Sequence, residues 1–199
     1  VLPPKLAPFQ VVVVPIYKSE EQLAIISEKV DLVKNNLEGK GISVKFDDRK
    51  THKPGWKFAE YELKGVPVRL AMGMRDIENN TIEVARRDTL EKQTYGIENI
   101  EDIVYNLLEE IQSNLFLKAN NFRKENTYTA ESYDEFKQLI EKGGFVYAHW
   151  DGTSESEEKI KNETKATIRC IPLVSDKEEG LCIISQKKSA QKVLFAKAY

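Results

Sequence analysis

Hydrophobic and polar residues follow one another along the chain in patterns that predict strands and helices in turn. Residues 10–17, QVVVVPIY, form a continuous apolar and β-branched run, as expected of a central strand that is covered on both faces. Ser19, with Gln22 three residues later, matches a capping box, and apolar residues then recur at helical spacing until Gly39. A strand followed by a helix is the first part of an α/β layer structure.

The same patterns continue to about residue 118 and predict an α/β domain. They indicate a strand at SVKFD, a helix over 56–63, a strand at VPVRLAM, a loop over 73–80, strands at TIEVARR and 91–95, and a long helix from residue 100. Because side chains alternate along a strand, Arg69 in VPVRLAM points away from the face that carries Val68 and Leu70. We therefore expect Arg69 to lie outside the main apolar core.

A polar stretch, KANNFRKENTYT, predicts the boundary between two domains. Beyond it, the patterns indicate a helix over 132–141, a strand at FVYAHW, a helix over 154–164, and short strands at 168–171, 181–184 and 193–196. The predicted organisation is a proline-rich linker over 1–9, an α/β domain over 10–118 and a small α+β domain over 119–199.

Charge and missing motifs exclude several classes of function. The net charge of −2 and the pI of about 5.9 argue against sequence-independent binding along a nucleic-acid backbone. The sequence contains no phosphate-binding GxxxxGK[ST] or GxGxxG loop, no HExxH and no GxSxG, and neither His52 nor His149 belongs to a visible catalytic triad. It has no signal peptide and no run of eighteen apolar residues, so we expect a cytoplasmic binding protein.

The stretch from His52 to Asp88 carries the residue types that recognise single-stranded bases. It places Trp56 and Phe58 near carboxylates, with Arg69 on the following strand. Aromatic rings stack on bases, carboxylates accept hydrogen bonds from base N–H groups, and cations lie near phosphates. At least one of the two rings is equally suited to packing on the sheet, with Trp56 the better candidate for the core and Phe58 for stacking.

Two charged clusters of the same stretch leave two interpretations open. The pairs Arg75–Asp76 and Arg86-Arg87–Asp88 suit surface ion pairs that stabilise the fold by about 0–1 kcal/mol each. The same side chains also suit contacts with base edges and phosphates.

The cysteines provide only a weak indication of a metal site. Cys170 and Cys182 stand alone, whereas structural zinc needs four ligands, typically from two closely spaced pairs. His149 and Asp151 could complete a mixed site, but we favour two reduced thiols and no bound metal.

Several ordered segments resemble the C-terminal half of prolyl-tRNA synthetase, in the form shared by archaea, eukaryotes and some bacteria. These segments are LPPKLAPFQVVVVPI, PGWKFAEYELKGVPVRL, VARRDTLEK and KVLFAKAY. The resemblance implies a class II synthetase anticodon-binding domain, with a five-stranded mixed sheet flanked by helices. It also implies a small α+β C-terminal domain that is peculiar to this form.

The resemblance also implies which residues contact RNA. The residues that match contacts to the two guanines of the proline anticodon are Phe58, Glu62, Arg69, Asp76 and Lys92. Candidates for phosphate contacts or supporting roles are Lys57, Arg75, Arg86 and Arg87. The final residue, Tyr199, matches a tyrosine whose terminal carboxylate reaches toward the aminoacylation site.

The resemblance and one departure from it decide the expected cofactors. Many relatives hold zinc through four cysteines, but here the region after Trp150 has none and Ser185 stands three residues after Cys182. We therefore expect no zinc. The parent protein is expected to use ATP and magnesium to form prolyl-adenylate and to pass proline to tRNA(Pro).

The remaining expectations concern the parent protein and its partners. Its catalytic core is expected before Val1, so this chain alone should be inactive, and the parent should be a homodimer that binds neither membrane nor DNA. One alternative is a free-standing module of the same fold that binds protein or another RNA. A small-molecule binder of the flavodoxin-like kind would need a phosphate-binding loop that the sequence lacks.

Overall fold

The computed structural model describes residues 1–173 and 178–197. Contacts divide the chain into two compact units, Val1–Leu117 and Lys118–Tyr199. Within the described residues, no helix combines the length and the apolarity needed to cross a membrane.

A five-stranded mixed sheet forms the centre of the first unit, as predicted. Its strands are β1 (Val11–Ile16), β2 (Val44–Phe46), β3 (Val68–Gly73), β4 (Thr81–Arg86) and β5 (Lys92–Gly96). Their order is β2-β1-β3-β4-β5, with β1 parallel to both neighbours and β4 antiparallel to β3 and β5. The helices that connect and flank them are α1 (Glu20–Gly39), α2 (Pro54–Leu63), α3 (Met74–Glu78) and α4 (Ile100–Glu125).

The two faces of this sheet carry different side chains. The main core lies on the face that contains Val11, Val13, Val68 and Leu70, and it is covered by apolar residues of α1 and α4. On the other face, Val12 and Val14 pack against Tyr61 and Val66, while Phe58 packs against this cluster from the same helix, α2. Both faces of β1 are covered, which accounts for its continuous run of valines.

One prediction about local structure in the first unit was wrong. Residues 74–78, predicted as part of a loop, form the short helix α3. The polar stretch after residue 117 continues α4 to Glu125, because residues with good helix propensity extend the helix after its apolar stripe has ended.

Residues 1–9, predicted as a linker, pack on the first unit. The backbone N–H of Leu2 donates to the Gly65 carbonyl at 2.9 Å, and Pro4 is buried. Gly65 has φ +76, and a Cβ there would lie 2.7 Å from Leu2 Cγ. This turn between α2 and β3 therefore requires glycine for its backbone conformation and for the approach of Leu2.

The second unit combines two small sheets with two helices. Its strands are β6 (Thr127–Thr129), β7 (Phe145–His149), β8 (Ala166–Cys170), β9 (Gly180–Leu181), β10 (Lys188–Ser189) and β11 (Lys192–Lys197), and its further helices are α5 (Tyr133–Lys142) and α6 (Ser154–Thr164). One sheet has the order β6-β7-β11-β8, and β9 pairs with β10. The strand predicted over 181–184 was wrong in extent, because residues 183–185 form a turn. Phe136 and Phe195 meet edge to face in the core, with ring centroids 5.1 Å apart.

A buried ion cluster joins α2 to the residues that follow β2. The side chain of Lys57 is 1% exposed, and its Nζ donates to the Asp47 carbonyl at 2.8 Å and lies 3.6 Å from Asp47 Oδ1. Arg49 adds two hydrogen bonds to the same carboxylate, at 2.8 and 2.6 Å. Burial raises the pKa of Asp47, but the hydrogen bonds from Arg49 and the charge of Lys57 outweigh it and lower that pKa to about 2.

A hydrogen-bonded cluster around Asp151 joins three segments of the second unit. The Asp151 carboxylate accepts from the hydroxyls of Ser156 at 2.6 Å, Ser185 at 2.5 Å and Thr153 at 2.8 Å. Burial raises the pKa of Asp151, but these hydrogen bonds outweigh it and hold that pKa well below its ordinary value. The end of β7, the first turn of α6 and the turn after β9 are thereby held together.

Removing the buried ammonium should destabilise the first unit. We expect Lys57→Met to lower the free energy of unfolding by about 1.5–3 kcal/mol, because the Asp47 carbonyl and carboxylate lose a charged partner. The measurement is denaturant unfolding followed by circular dichroism. The control is Lys64→Met, at an exposed lysine just after the same helix, and equal losses in both variants would contradict a special role for Lys57.

The Asp151 cluster should make the stability of the second unit depend on pH. A carboxylate whose pKa is lowered in the folded state stabilises that state above its unfolded pKa, near 4, and this stabilisation is lost on acidification. We expect Asp151→Asn to be less stable than the parent sequence at pH 7, and the difference to shrink as the pH falls toward 3. In a Trp56→Phe background, fluorescence of Trp150, whose Nε1 donates to the Thr153 carbonyl, reports this unit.

An exposed aspartate provides the control for this pH dependence. Asp31 lies on the solvent side of α1, so Asp31→Asn should leave the pH profile of Trp150 unfolding unchanged. A profile of Asp151→Asn that runs parallel to that of the parent sequence would contradict the assignment.

Candidate nucleic-acid interface

A cavity of about 300 Å³ opens between α2 and the uncovered part of the first sheet. Four of the five residues predicted to contact RNA line it: Phe58, Glu62, Arg69 and Lys92. The other lining residues are Val12, Tyr61, Val66, Ala85, Arg86, Arg87 and Leu90. The structure thus brings together residues that lie up to 34 positions apart in the sequence, from Phe58 to Lys92.

Strand register builds one side of this cavity. Arg69 pairs with Val12 on β1 and with Ala85 on β4, and Ala85 pairs with Lys92 on β5. Residues directly opposite each other on paired strands point to the same face of a sheet. These positions therefore form one row, in which two apolar residues and two cations face away from the main core.

Helix periodicity builds the other side. Pro54 occupies the first turn of α2, where its missing N–H costs nothing. Phe58, Tyr61 and Glu62 follow at spacings of three and four residues and so share one face of the helix. Tyr61 is buried against the sheet, which leaves Phe58 and Glu62 at the rim of the cavity.

Arg69 is held on two sides. Its guanidinium carbon lies 3.6 Å from the centroid of the Phe58 ring, and its Nη2 donates to Glu83 Oε1 at 2.9 Å. The Arg69 side chain is only 9% exposed, and its buried Nε has no hydrogen-bond partner among the described residues. Arg69 therefore covers one face of the Phe58 ring, and a base cannot stack on that face.

A second arginine is incompletely paired in the same cavity. Arg87 Nη1 lies 3.6 Å from Glu62 Oε1, while the buried Nε of Arg87 has no partner within the described part of the chain. Buried N–H groups are normally hydrogen-bonded. The two unsatisfied guanidinium nitrogens beside this cavity therefore suit a ligand that is rich in acceptor atoms.

The structure does not bring Asp76 to this cavity. Asp76 is the third residue of α3, beyond the end of β3, and its Oδ2 accepts from the Gly73 N–H at 2.8 Å. Arg69 lies near the opposite end of β3. Asp76 thus caps α3, and its proposed contact with RNA stays a prediction.

Two assignments made for α2 need correction. Trp56 was predicted as the better core residue, but it is 48% exposed and stacks on His52, with ring centroids 3.7 Å apart. Lys57 was a candidate for a phosphate contact, but its burial and its bonds to Asp47 leave only a supporting role. Successive residues of a helix differ in direction by about 100°, so Lys57 points inward while the neighbouring Trp56 is exposed.

The other candidate cations, Arg86 and Arg75, differ in their ion pairs and in their exposure. Arg86 donates twice to Asp88, at 2.8 and 2.9 Å, and also pairs with Glu110, and its hydrogen bonds help lower the pKa of Asp88 to about 2. Arg86 is therefore engaged within the unit. Arg75 is exposed at the surface of α3.

Glu83, the carboxylate that pairs with Arg69, was not among the predicted site residues. Alternation along TIEVARR places Glu83 on the face opposite Ile82 and Val84. That pattern was visible in the sequence. The pairing of β3 with β4, which brings Glu83 to Arg69, was not.

The four candidate metal ligands of the second unit do not form a site. His149 Nδ1 lies 3.1 Å from Ser189 Oγ, Cys182 is buried, Cys170 is exposed and Asp151 accepts from three hydroxyls. No group of three or more His, Cys, Asp or Glu side chains in residues 1–173 and 178–197 could hold a metal ion.

The hydroxyl groups that surround Asp151 also fit zinc poorly. Ser156 and Ser185 offer neutral hydroxyls, whereas structural zinc is bound by thiolate, imidazole and carboxylate groups. Tyr199, the remaining candidate of the sequence analysis, lies outside the described residues.

Comparison with protein families identifies both units. Residues 10–107 match the family described as "Anticodon binding domain", and residues 133–199 match "Prolyl-tRNA synthetase, C-terminal". The first match contains every residue that lines the cavity.

Individual relatives agree along the whole chain. Proteins named proline–tRNA ligase from Porphyromonas gingivalis strain ATCC 33277, Parabacteroides distasonis and Bacteroides fragilis strain ATCC 25285 are 66%, 65% and 60% identical, each over 100% of this chain. The chain spans about 40% of the length of these relatives. The crystal structure of prolyl-tRNA synthetase from Cryptosporidium parvum, complexed with L-proline and AMP, matches with a TM-score of 0.89 at 35% identity, covering 100% of this chain and 42% of that one. The chain therefore belongs to the prolyl-tRNA synthetase family and carries the anticodon-binding and C-terminal domains of that family.

Proposed function

We propose that the first unit binds the anticodon of tRNA(Pro), as part of a proline–tRNA ligase that attaches proline to this tRNA. The observation that carries the proposal is the cavity that unites Phe58, Glu62, Arg69 and Lys92 and contains two unsatisfied arginine nitrogens. The names of the relatives support the choice of tRNA.

The chemistry of the cavity suits guanine. Guanine presents the acceptors O6 and N7, which arginine and lysine recognise through their N–H groups. Its N1–H and N2–H groups are donors that a carboxylate can accept, and Glu62 is 45% exposed at the rim. Among the described residues that line the cavity, four cations (Arg69, Arg86, Arg87 and Lys92) outnumber the carboxylate of Glu62, so the local charge favours RNA although the chain is acidic overall.

The proposal includes contacts outside this cavity. Asp76 is proposed to accept hydrogen bonds from the second anticodon guanine, which would lie outside the cavity beside α2. Exposed Arg75 lies beside Asp76 and is suited to an adjoining phosphate.

The remaining parts of the proposal concern the whole protein. It would form prolyl-adenylate from proline and ATP with magnesium, transfer proline to the terminal ribose of tRNA(Pro), and act as a cytoplasmic homodimer. The carboxylate of Tyr199 would reach toward the aminoacylation site. The support for these statements is the family membership of the chain.

Loss of Arg69 should weaken binding to the proline anticodon. We expect Arg69→Ala to cost about 1–3 kcal/mol in affinity for an RNA stem-loop that bears this anticodon, because a base loses its charged donor. Fluorescence anisotropy at fixed salt measures the affinity, and Arg123→Ala in the second unit is a control with the same change of charge.

Stem-loop variants test whether this effect concerns the anticodon. Replacing both anticodon guanines by adenines should weaken binding of the parent sequence and remove most of the difference between it and Arg69→Ala. Identical affinity of Arg69→Ala and the parent sequence for the guanine loop would contradict the site assignment.

The second unit is further proposed to keep its fold without zinc. The support is the donor set around Asp151, which offers hydroxyls in place of thiolates. Protein purified without chelator should contain far less than one zinc per chain by mass spectrometry, and EDTA should leave the unfolding temperature unchanged. One zinc per chain, with a lower unfolding temperature in EDTA, would overturn this part of the proposal.

A further inference from the structure

Glu83 lies in the middle of β4, on the same face of the sheet as Arg69. It is a diagonal neighbour of Arg69, because Arg69 pairs with Ala85 and Glu83 pairs with Ala71. Diagonal neighbours on paired strands are within reach of long side chains. The observed distance between Arg69 Nη2 and Glu83 Oε1 is 2.9 Å.

The two contacts of Arg69 restrict its guanidinium in complementary ways. The Phe58 ring, 3.6 Å from the guanidinium carbon, restrains the group on one face. The Glu83 carboxylate engages one end of the group through Nη2. Rotation about the long arginine side chain would break at least one of these contacts, so the remaining N–H groups have a defined direction before RNA binds.

Glu83 lies beside the cavity and is not part of its lining. It is absent from the residues that line the cavity, although Arg69 and Ala85 on either side of it are present. We therefore expect Glu83 to act on a base in the cavity through its contact with Arg69.

The consequence of losing Glu83 follows from the charges nearby. Arg69 is nearly buried and needs a partner, and the carboxylate among the described residues that line the cavity is Glu62. Glu62 already lies 3.6 Å from Arg87. Without Glu83, two arginines would compete for the carboxylate that is proposed to read the base.

We infer that Glu83 is a positioning residue that fixes the donors of Arg69 and keeps Glu62 free for the base, and so sets the preference for guanine. The inference rests on the proposed function of the cavity. It adds a specificity role for a residue that lies outside the lining of the cavity.

The inference predicts opposite effects on affinity and on discrimination. Removing a negative charge near a nucleic-acid site should leave binding to a loop without guanine unchanged or slightly tighter. A loss of positioning should weaken binding only to the guanine loop. A purely structural or purely electrostatic role would change both affinities in the same direction.

The test is a double-mutant cycle on the complete chain. Anisotropy at fixed salt measures the affinities of the parent sequence, Glu83→Ala, Arg69→Ala and the double variant for guanine and adenine stem-loops. We expect Glu83→Ala to reduce the guanine preference about tenfold, and the double variant to be no weaker than Arg69→Ala. Glu109→Ala, at an exposed position of α4, is the control for charge.

A conservative substitution separates positioning from folding. Glu83→Gln retains an oxygen that accepts from Arg69 and should recover a large part of the preference, and it replaces Glu83→Ala if circular dichroism shows that the alanine variant does not fold. Additive losses in the double variant, or an unchanged guanine preference in both Glu83 variants, would overturn the inference while leaving the proposed function intact. Absence of any guanine preference in the parent sequence would overturn both.

Discussion

The register of β3 between β1 and β4 is the constraint on which the first unit depends. It directs Val68 and Leu70 into the main core and Arg69 to the opposite face, one residue apart. A slip of one residue would exchange these faces, placing a guanidinium among the valines and leucines. The same hydrogen bonds that hold the sheet together therefore place the arginine at the cavity, so the stability of the sheet and the geometry of the proposed site cannot be separated.

Charge in this unit serves two purposes, and burial distinguishes them. Lys57, Asp47 and Arg49 form pairs within the protein, as do Arg86 and Asp88, and their donors and acceptors are largely used there. Arg69 and Arg87 each keep one buried nitrogen without a partner among the described residues. Nearby arginines of similar sequence context thus differ in what they can offer a ligand, a difference that arises from cross-strand and helix–loop neighbours.

The sequence predicted the features that depend on local periodicity. These features are the succession of strands and helices along the chain, the capping of α1 by Ser19 and the outward direction of Arg69. They follow from spacings of two residues in strands and of three to four residues in helices. It could not predict the burial of Lys57 or the exposure of Trp56, because adjacent residues on a short helix differ in direction by about 100° and the phase depends on what the helix packs against. The partner of Arg69 likewise depended on strand pairing, and Asp76 is away from the cavity because it follows the end of β3 that lies opposite Arg69.

Gly65 is the contact point between the first residues of the chain and the turn that leads from α2 to β3. Leu2 is hydrogen-bonded to Gly65 and packs where a side chain would otherwise lie. This turn joins the helix that carries Phe58 and Glu62 to the strand that carries Arg69. A residue larger than glycine at position 65 would therefore be strained and would displace Leu2, beside the turn that joins the two walls of the cavity.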